Sequence, residues 1–86
     1  MTKLEEKLVE LGYKLREGFK CTYTKDIGYC ILKIYYDGEV LDGFADINYQ
    51  YLYTIQKKHI DKAEKTLQKD LEILKECEEK WQMKKK

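Results

Sequence analysis

The chain has no serine and no proline, a single histidine, a single tryptophan and three cysteines, and these shortages close off whole classes of chemistry. Without serine no Ser-His-Asp triad can be assembled. The lone histidine, His59, sits among Lys57, Lys58 and Asp61 with no orienting partner in its segment, so an exposed or helix-capping role is expected for it. Cys21, Cys30 and Cys77 are odd in number and lack a CxxC spacing. A four-ligand zinc site would have to borrow distant carboxylates. Asp37, Asp42 and Asp46 recur at short intervals, but a turn and a cross-strand lysine account for the first two, and no glycine-rich phosphate loop accompanies them. The expectation is a chain that is not an enzyme, with no metal and no cofactor.

Charge is also missing in the form that would name a partner. Seventeen basic and sixteen acidic residues leave a net charge of +1, without the basic excess that exchanges for phosphate counterions. That argues against a nucleic-acid partner. No apolar run approaches the roughly 20 residues that a membrane span needs. The opening residues are charged from Lys3 onward, unlike a secretory leader, so reduced thiols in a cytoplasm are expected.

What is present is pattern. Thr2 and Glu5 fit a capping box, Leu4, Leu8, Leu11 and Leu15 have helical spacing, and Gly12 offers a stop, predicting a helix over about residues 3–11. Residues 19–25 alternate as a half-buried strand, with Phe19, Cys21 and Tyr23 on one face. Residues 29–36 are rich in β-branched and aromatic side chains, the strongest strand signal of the chain. Asp37-Gly38 then suits a two-residue hairpin turn. That turn predicts a core face pairing Ile34 with Leu41, Leu32 with Gly43 and Cys30 with Ala45. The other face carries a Lys33–Asp42 pair and sets Ile31 opposite Phe44. Residues 47–55 continue the alternation, with Tyr49, Tyr51 and Tyr53 in step, and a bend at Asn48 followed by a fourth strand is expected.

From Lys57 the period becomes helical: Ile60, Ala63, Leu67, Leu71, Leu74 and Trp81 form one stripe flanked by Ile73 and Cys77, with no glycine to interrupt it. A helix over residues 58–82 spans roughly 37 Å, longer than a seven-residue strand at roughly 23 Å. The 60–67–74–81 repeat therefore suggests a homodimer through Leu67, Leu74 and Trp81. The fold class expected is α+β: a short N-terminal helix, an antiparallel sheet of three or four strands, and one long C-terminal helix. One domain covers residues 1–83, and residues 84–86 form a solvated lysine tail.

Eight tyrosines supply apolar area that still needs partners for its hydroxyls. The outer face of the hairpin gathers Tyr29, Ile31, Tyr35, Val40 and Phe44, where a sheet packed on one side should be polar. Either the first helix or a swapped element covers this face, or it is a contact surface for a partner. Tyr49, Tyr51 and Tyr53 could stack bases, but Lys33 is the only lysine between residues 26 and 56, which weakens a nucleic-acid platform.

Leu8-Val9-Glu10-Leu11-Gly12-Tyr13, the hairpin, and the closing Ile60-Asp61-Lys62-Ala63 and Leu67-Gln68-Lys69-Asp70-Leu71-Glu72-Ile73-Leu74-Lys75 resemble short accessory proteins of bacteriophages and prophages of low-GC bacteria. Phage proteins of this size and build include inhibitors of host defence, such as anti-CRISPR proteins, and sponges for signalling nucleotides. The resemblance implies a stoichiometric binder of a host protein. The alternative it leaves open is a sponge or sensor for a small anionic ligand, such as a nucleotide, at a dimer interface.

Overall fold

Leu4 and Leu8, one turn apart, are the buried pair of the first helix, α1 (Lys3–Glu10). Gly12 ends it at φ +98°, a left-handed conformation that costs glycine no Cβ contact. Two bonds close the end: Gly12 N donates to the Val9 carbonyl and Tyr13 N to the Leu8 carbonyl. The computed structural model describes residues 3–85, with side chains described for residues 3–77.

Four antiparallel strands follow, β1 (Lys14–Leu15), β2 (Thr22–Asp26), β3 (Cys30–Tyr36) and β4 (Leu41–Ile47), in that spatial order. The long helix α2 (Lys57–Lys85) lies across one face of this sheet, giving the α+β fold expected. It continues through Lys84 and Lys85, which were expected in the tail; Lys86 lies outside the described residues. The core joins Tyr23, Cys30, Leu32 and Ile34 of the sheet to Ala63, Leu67, Leu71 and Leu74 of α2 and to Leu4 and Leu8 of α1. Each fully buried leucine or isoleucine there contributes about 1.5–3 kcal/mol relative to exposure. Burial also pushes the Cys30 thiol up from its ordinary value, consistent with a small apolar role for it.

One polar group is built into that core. Asp70 of α2 is buried, and its Oδ2 accepts from the Tyr13 hydroxyl at 2.8 Å and from Lys25 Nζ at 3.1 Å. Burial, and then the Asp70 carboxylate, push the Tyr13 phenol far above its usual range, so it remains a donor at any ordinary pH. This triad ties α2 to the α1–β1 turn and to β2.

Several expectations are corrected. The β3–β4 register differs by two residues: Tyr36 faces Leu41, Ile34 faces Gly43, Leu32 faces Ala45 and Cys30 faces Ile47. The connection is the four residues 37–40, held by Asp37 Oδ1, which accepts from Glu39 N at 2.9 Å and Val40 N at 2.8 Å. A side chain that satisfies two turn amides favours this longer loop over a two-residue one. Lys33 consequently bonds Asp46 at 2.8 Å, and Asp42 has no ion pair among the described residues.

The strand expected at residues 19–25 starts only at Thr22. Phe19 belongs to a turn and is exposed, and Cys21 has φ +65°. Leu15 is exposed in β1 and takes no part in the helical stripe. Residues 47–55 hold no fourth strand beyond the end of β4. Asn48 caps a short 3-10 turn, Tyr49–Tyr51, by accepting from Gln50 N, and the fourth strand is β1 on the opposite edge.

Two of the three residues expected at a dimer interface on α2 lie elsewhere than expected. Leu67 and Leu74 are 3% and 0% exposed within the chain's own core, so neither can meet a second subunit. α1 packs against α2, with Cys77 Sγ reaching the Lys3 carbonyl at 3.9 Å. The Trp81 side chain lies outside the described residues.

Candidate functional site

Because strand side chains alternate, the face of the sheet turned away from α2 carries the odd positions of β3 and the even positions of β2 and β4. Register sorts them into rows. One runs Arg16, Thr22, Tyr35, Asp42 from the β1 edge to the β4 edge, with Arg16 N donating to the Thr22 carbonyl. The next runs Lys14, Thr24, Lys33, Phe44, and the last Asp26, Ile31, Asp46. Both helices pack on the opposite side, so α1 does not cover this face.

The first two rows and their flanking turns enclose a concavity of about 440 Å³. Its walls are Phe19, Tyr35, Val40 and Phe44, and Phe44 and Phe19 keep 58% and 52% of their surface exposed. Cations lie against the rings: the Arg16 guanidinium is 4.2 Å from the Phe19 centroid and Lys33 Nζ is 5.7 Å from that of Phe44. Tyr35 donates its hydroxyl to Asp37 Oδ2 at 3.1 Å, so its polar end already has a partner.

Of the five residues expected in this patch, Tyr35, Val40 and Phe44 come together in the concavity. Ile31 lies on the same face, half-buried, one row away between Asp26 and Asp46. Tyr29 leaves the patch altogether. Its ring stacks on His59 at 3.7 Å and 6° and meets Tyr51 at 5.0 Å, at the start of α2. Arg16 and Phe19 were missed. A turn closed by Phe19 N donating to the Arg16 carbonyl, with Gly18 at φ +80°, sets their side chains together. The Glu17-Gly18 pair was the available signal, since a turn there moves the strand start past Phe19.

Lys33 and Asp46 anchor the face. The Lys33 ammonium, and to a lesser degree the Ile47 backbone N–H, hold the Asp46 carboxyl below its ordinary value, against an opposing effect of partial burial. With the native value below the unfolded one of about 3.9, this stabilisation is complete above that pH and is lost as pH falls through the native value. Replacing Asp46→Asn should therefore lower stability by roughly 0.2–1 kcal/mol at pH 7. Urea titrations should show the difference closing in acid, below about pH 4.

The free edge of β4 is guarded. Asn48 N donates to the Tyr29 carbonyl, so even positions of this strand address β3 and odd positions address solvent. Two of the outward amides, Gly43 N and Ile47 N, donate to the carboxylates of Asp42 and Asp46, at 2.8 and 2.9 Å. An edge with charged side chains and occupied amides resists strand addition.

Two further hollows lie against α2. One of about 470 Å³ is lined by Ile27, Tyr29, His59, Lys62 and Thr66. His59 also fills its expected capping role, accepting from Gln56 N through Nδ1 at 3.0 Å. The second, about 710 Å³, runs between β4 and α2; its walls mix Asp61, Glu64, Lys65 and Glu72 and select no one ligand charge. Among the described residues no group of three or more His, Cys, Asp or Glu side chains could hold a metal ion, and no helix is long and apolar enough to cross a membrane. Comparison of the chain with protein-family models, with curated proteins and with solved structures finds no match.

Proposed function

We propose that this chain is a non-catalytic binding protein that engages a host protein through the outer face of its sheet, acting stoichiometrically in the host cytoplasm. The observation that carries this reading is the uncovered wall of Phe19, Tyr35, Val40 and Phe44, on a face that a two-layer fold normally leaves polar. Aromatic rings flanked by arginine are the side chains most often found at energetic centres of protein interfaces. The guarded β4 edge directs association to the face. The resemblance to phage accessory proteins points to a host component, a defence complex among them, as the target.

The test is the double variant Tyr35→Glu/Phe44→Glu used as bait in host lysate beside the unaltered chain. Both side chains are exposed, so the fold should survive, as a circular dichroism melt can verify. Loss of two central contacts should weaken capture of the partner at least about 30-fold. Equal capture by both baits would remove the face as the site.

One observation favours a second reading. Tyr29, Tyr51 and His59 form a ring cluster beside Lys62, which brings to the stacking groups a cation that strand order alone did not. A small anionic aromatic ligand, such as a nucleotide, suits that hollow. A thermal-shift screen with nucleotides discriminates, because a ligand held only by the folded state raises the melting temperature.

A further inference from the structure

The outer face has an internal symmetry of charge. The row nearest the 37–40 turn begins with Arg16 on the β1 side, passes through Thr22 and Tyr35, and ends with Asp42 on the β4 side. Its ends are three strand spacings apart, about 14 Å. Arg16 is the only arginine of the chain, and neither it nor Asp42 has an ion-pair partner among the described residues.

We propose that a second copy of this chain occupies the outer face, packed sheet to sheet about a two-fold axis that runs parallel to the strands between β2 and β3. The proposal rests on the reading of this face as a protein-contact surface and names its occupant in the free protein. Such an axis exchanges β1 with β4 and β2 with β3. It sets Arg16 against Asp42 of the second copy, twice, on either side of Thr22 and Tyr35.

The neighbouring rows agree. Lys14 meets the Phe44 ring of the other copy, a cation over an aromatic face. Asp26 meets Ile31, so no carboxylate faces a carboxylate there. Two sheets packed in this way keep their strands within about 30° of one another, as aligned sheets do. An isologous contact of this kind closes on itself and gives a dimer, not a filament. The occupied amides of β4 disfavour the competing edge-to-edge dimer. A host protein that binds the same face displaces the second copy, which makes the dimer the resting form.

Charge exchange tests this directly. In Arg16→Asp the row carries acid at both ends, and in Asp42→Arg it carries base at both ends. Each variant should raise the dimer dissociation constant at least about tenfold in sedimentation equilibrium, because like charges are then juxtaposed twice. An equimolar mixture of the two should dimerise at least as well as the unaltered chain, since every acid then faces a base. Thermal melts of the separate variants control for folding. A dimer that neither variant weakens, or a mixture that stays monomeric, would overturn the proposal. So would an unaltered chain that is monomeric at every concentration. If that monomer nevertheless loses its host partner in Tyr35→Glu/Phe44→Glu, the occupant is wrong and the contact surface stands. If capture is also unaffected, both fail.

Discussion

Asp70→Ala should lower the stability of this protein by about 3–5 kcal/mol, the range for removing one partner from a buried ion pair. The carboxylate is the common acceptor for two donors, and neither has a second partner of comparable quality. The Tyr13 hydroxyl, on a residue 1% exposed, would be left unsatisfied inside the core. An orphaned buried hydroxyl alone costs about 1–3 kcal/mol. The Lys25 ammonium would lose its counter-charge, although its side chain keeps 22% exposure and can turn partly toward water. That escape places the expected value near the lower end of the range. Asp70→Asn keeps an acceptor for Tyr13 and should cost less. A domain of this size has only about 5–15 kcal/mol in total, so urea titration at pH 7 will resolve the loss. A change under about 1 kcal/mol would mean that water already solvates the triad.

Gly43→Val should also destabilise, against the preference of strands for β-branched residues. An ideal Cβ at Gly43 would lie 2.8 Å from the Lys33 carbonyl oxygen and 3.2 Å from both Ile34 Cγ1 and Leu67 Cδ1. The closest of these is backbone on the neighbouring strand, which cannot rotate away as a side chain would. Strand propensity spans only about 1 kcal/mol, whereas overpacking a fitted site costs about 1–3 kcal/mol and occasionally more. Packing should therefore win, by about 1–3 kcal/mol in a denaturant titration. A neutral or stabilising result would show that β4 can move off the helix without penalty. Here glycine serves a close approach between β4, β3 and α2, not an unusual backbone angle.

Much of this architecture was legible in the chain, and the errors have physical causes. α1 follows from Leu4, Leu8 and the stop at Gly12, and β3 from its run of β-branched and aromatic residues. The hairpin register differed by two residues, yet each side chain kept its face, because strand side chains alternate with a period of two. Asp37 decided the loop length through its side-chain bonds, which the Asp-Gly dipeptide does not encode. The alternation after Ile47 imitates a strand, but Asn48 caps a turn there, and β1, two residues long, has no period to detect.

The 60–67–74 repeat on α2 reads equally well as a dimer seam or as a core stripe. The packing of Leu67 and Leu74 against the sheet and α1 is what separates the two. The proposed contact surface was recognisable from Tyr35, Val40 and Phe44. Arg16 and Phe19 join it through a turn, and Tyr29 leaves it through a stack on a residue thirty positions away. The first event has only the Glu17-Gly18 pair as its local signature, and the second has none.

Association is proposed at the outer face of the sheet and not at α2. A concentration series of amide NMR spectra on the unaltered chain tests it most directly. The amides of Thr22, Lys33, Tyr35 and Phe44 should shift together with increasing concentration while those of Lys62, Lys65 and Lys69 on α2 hold their positions. Shifts gathered on α2, with the sheet unmoved, would contradict it.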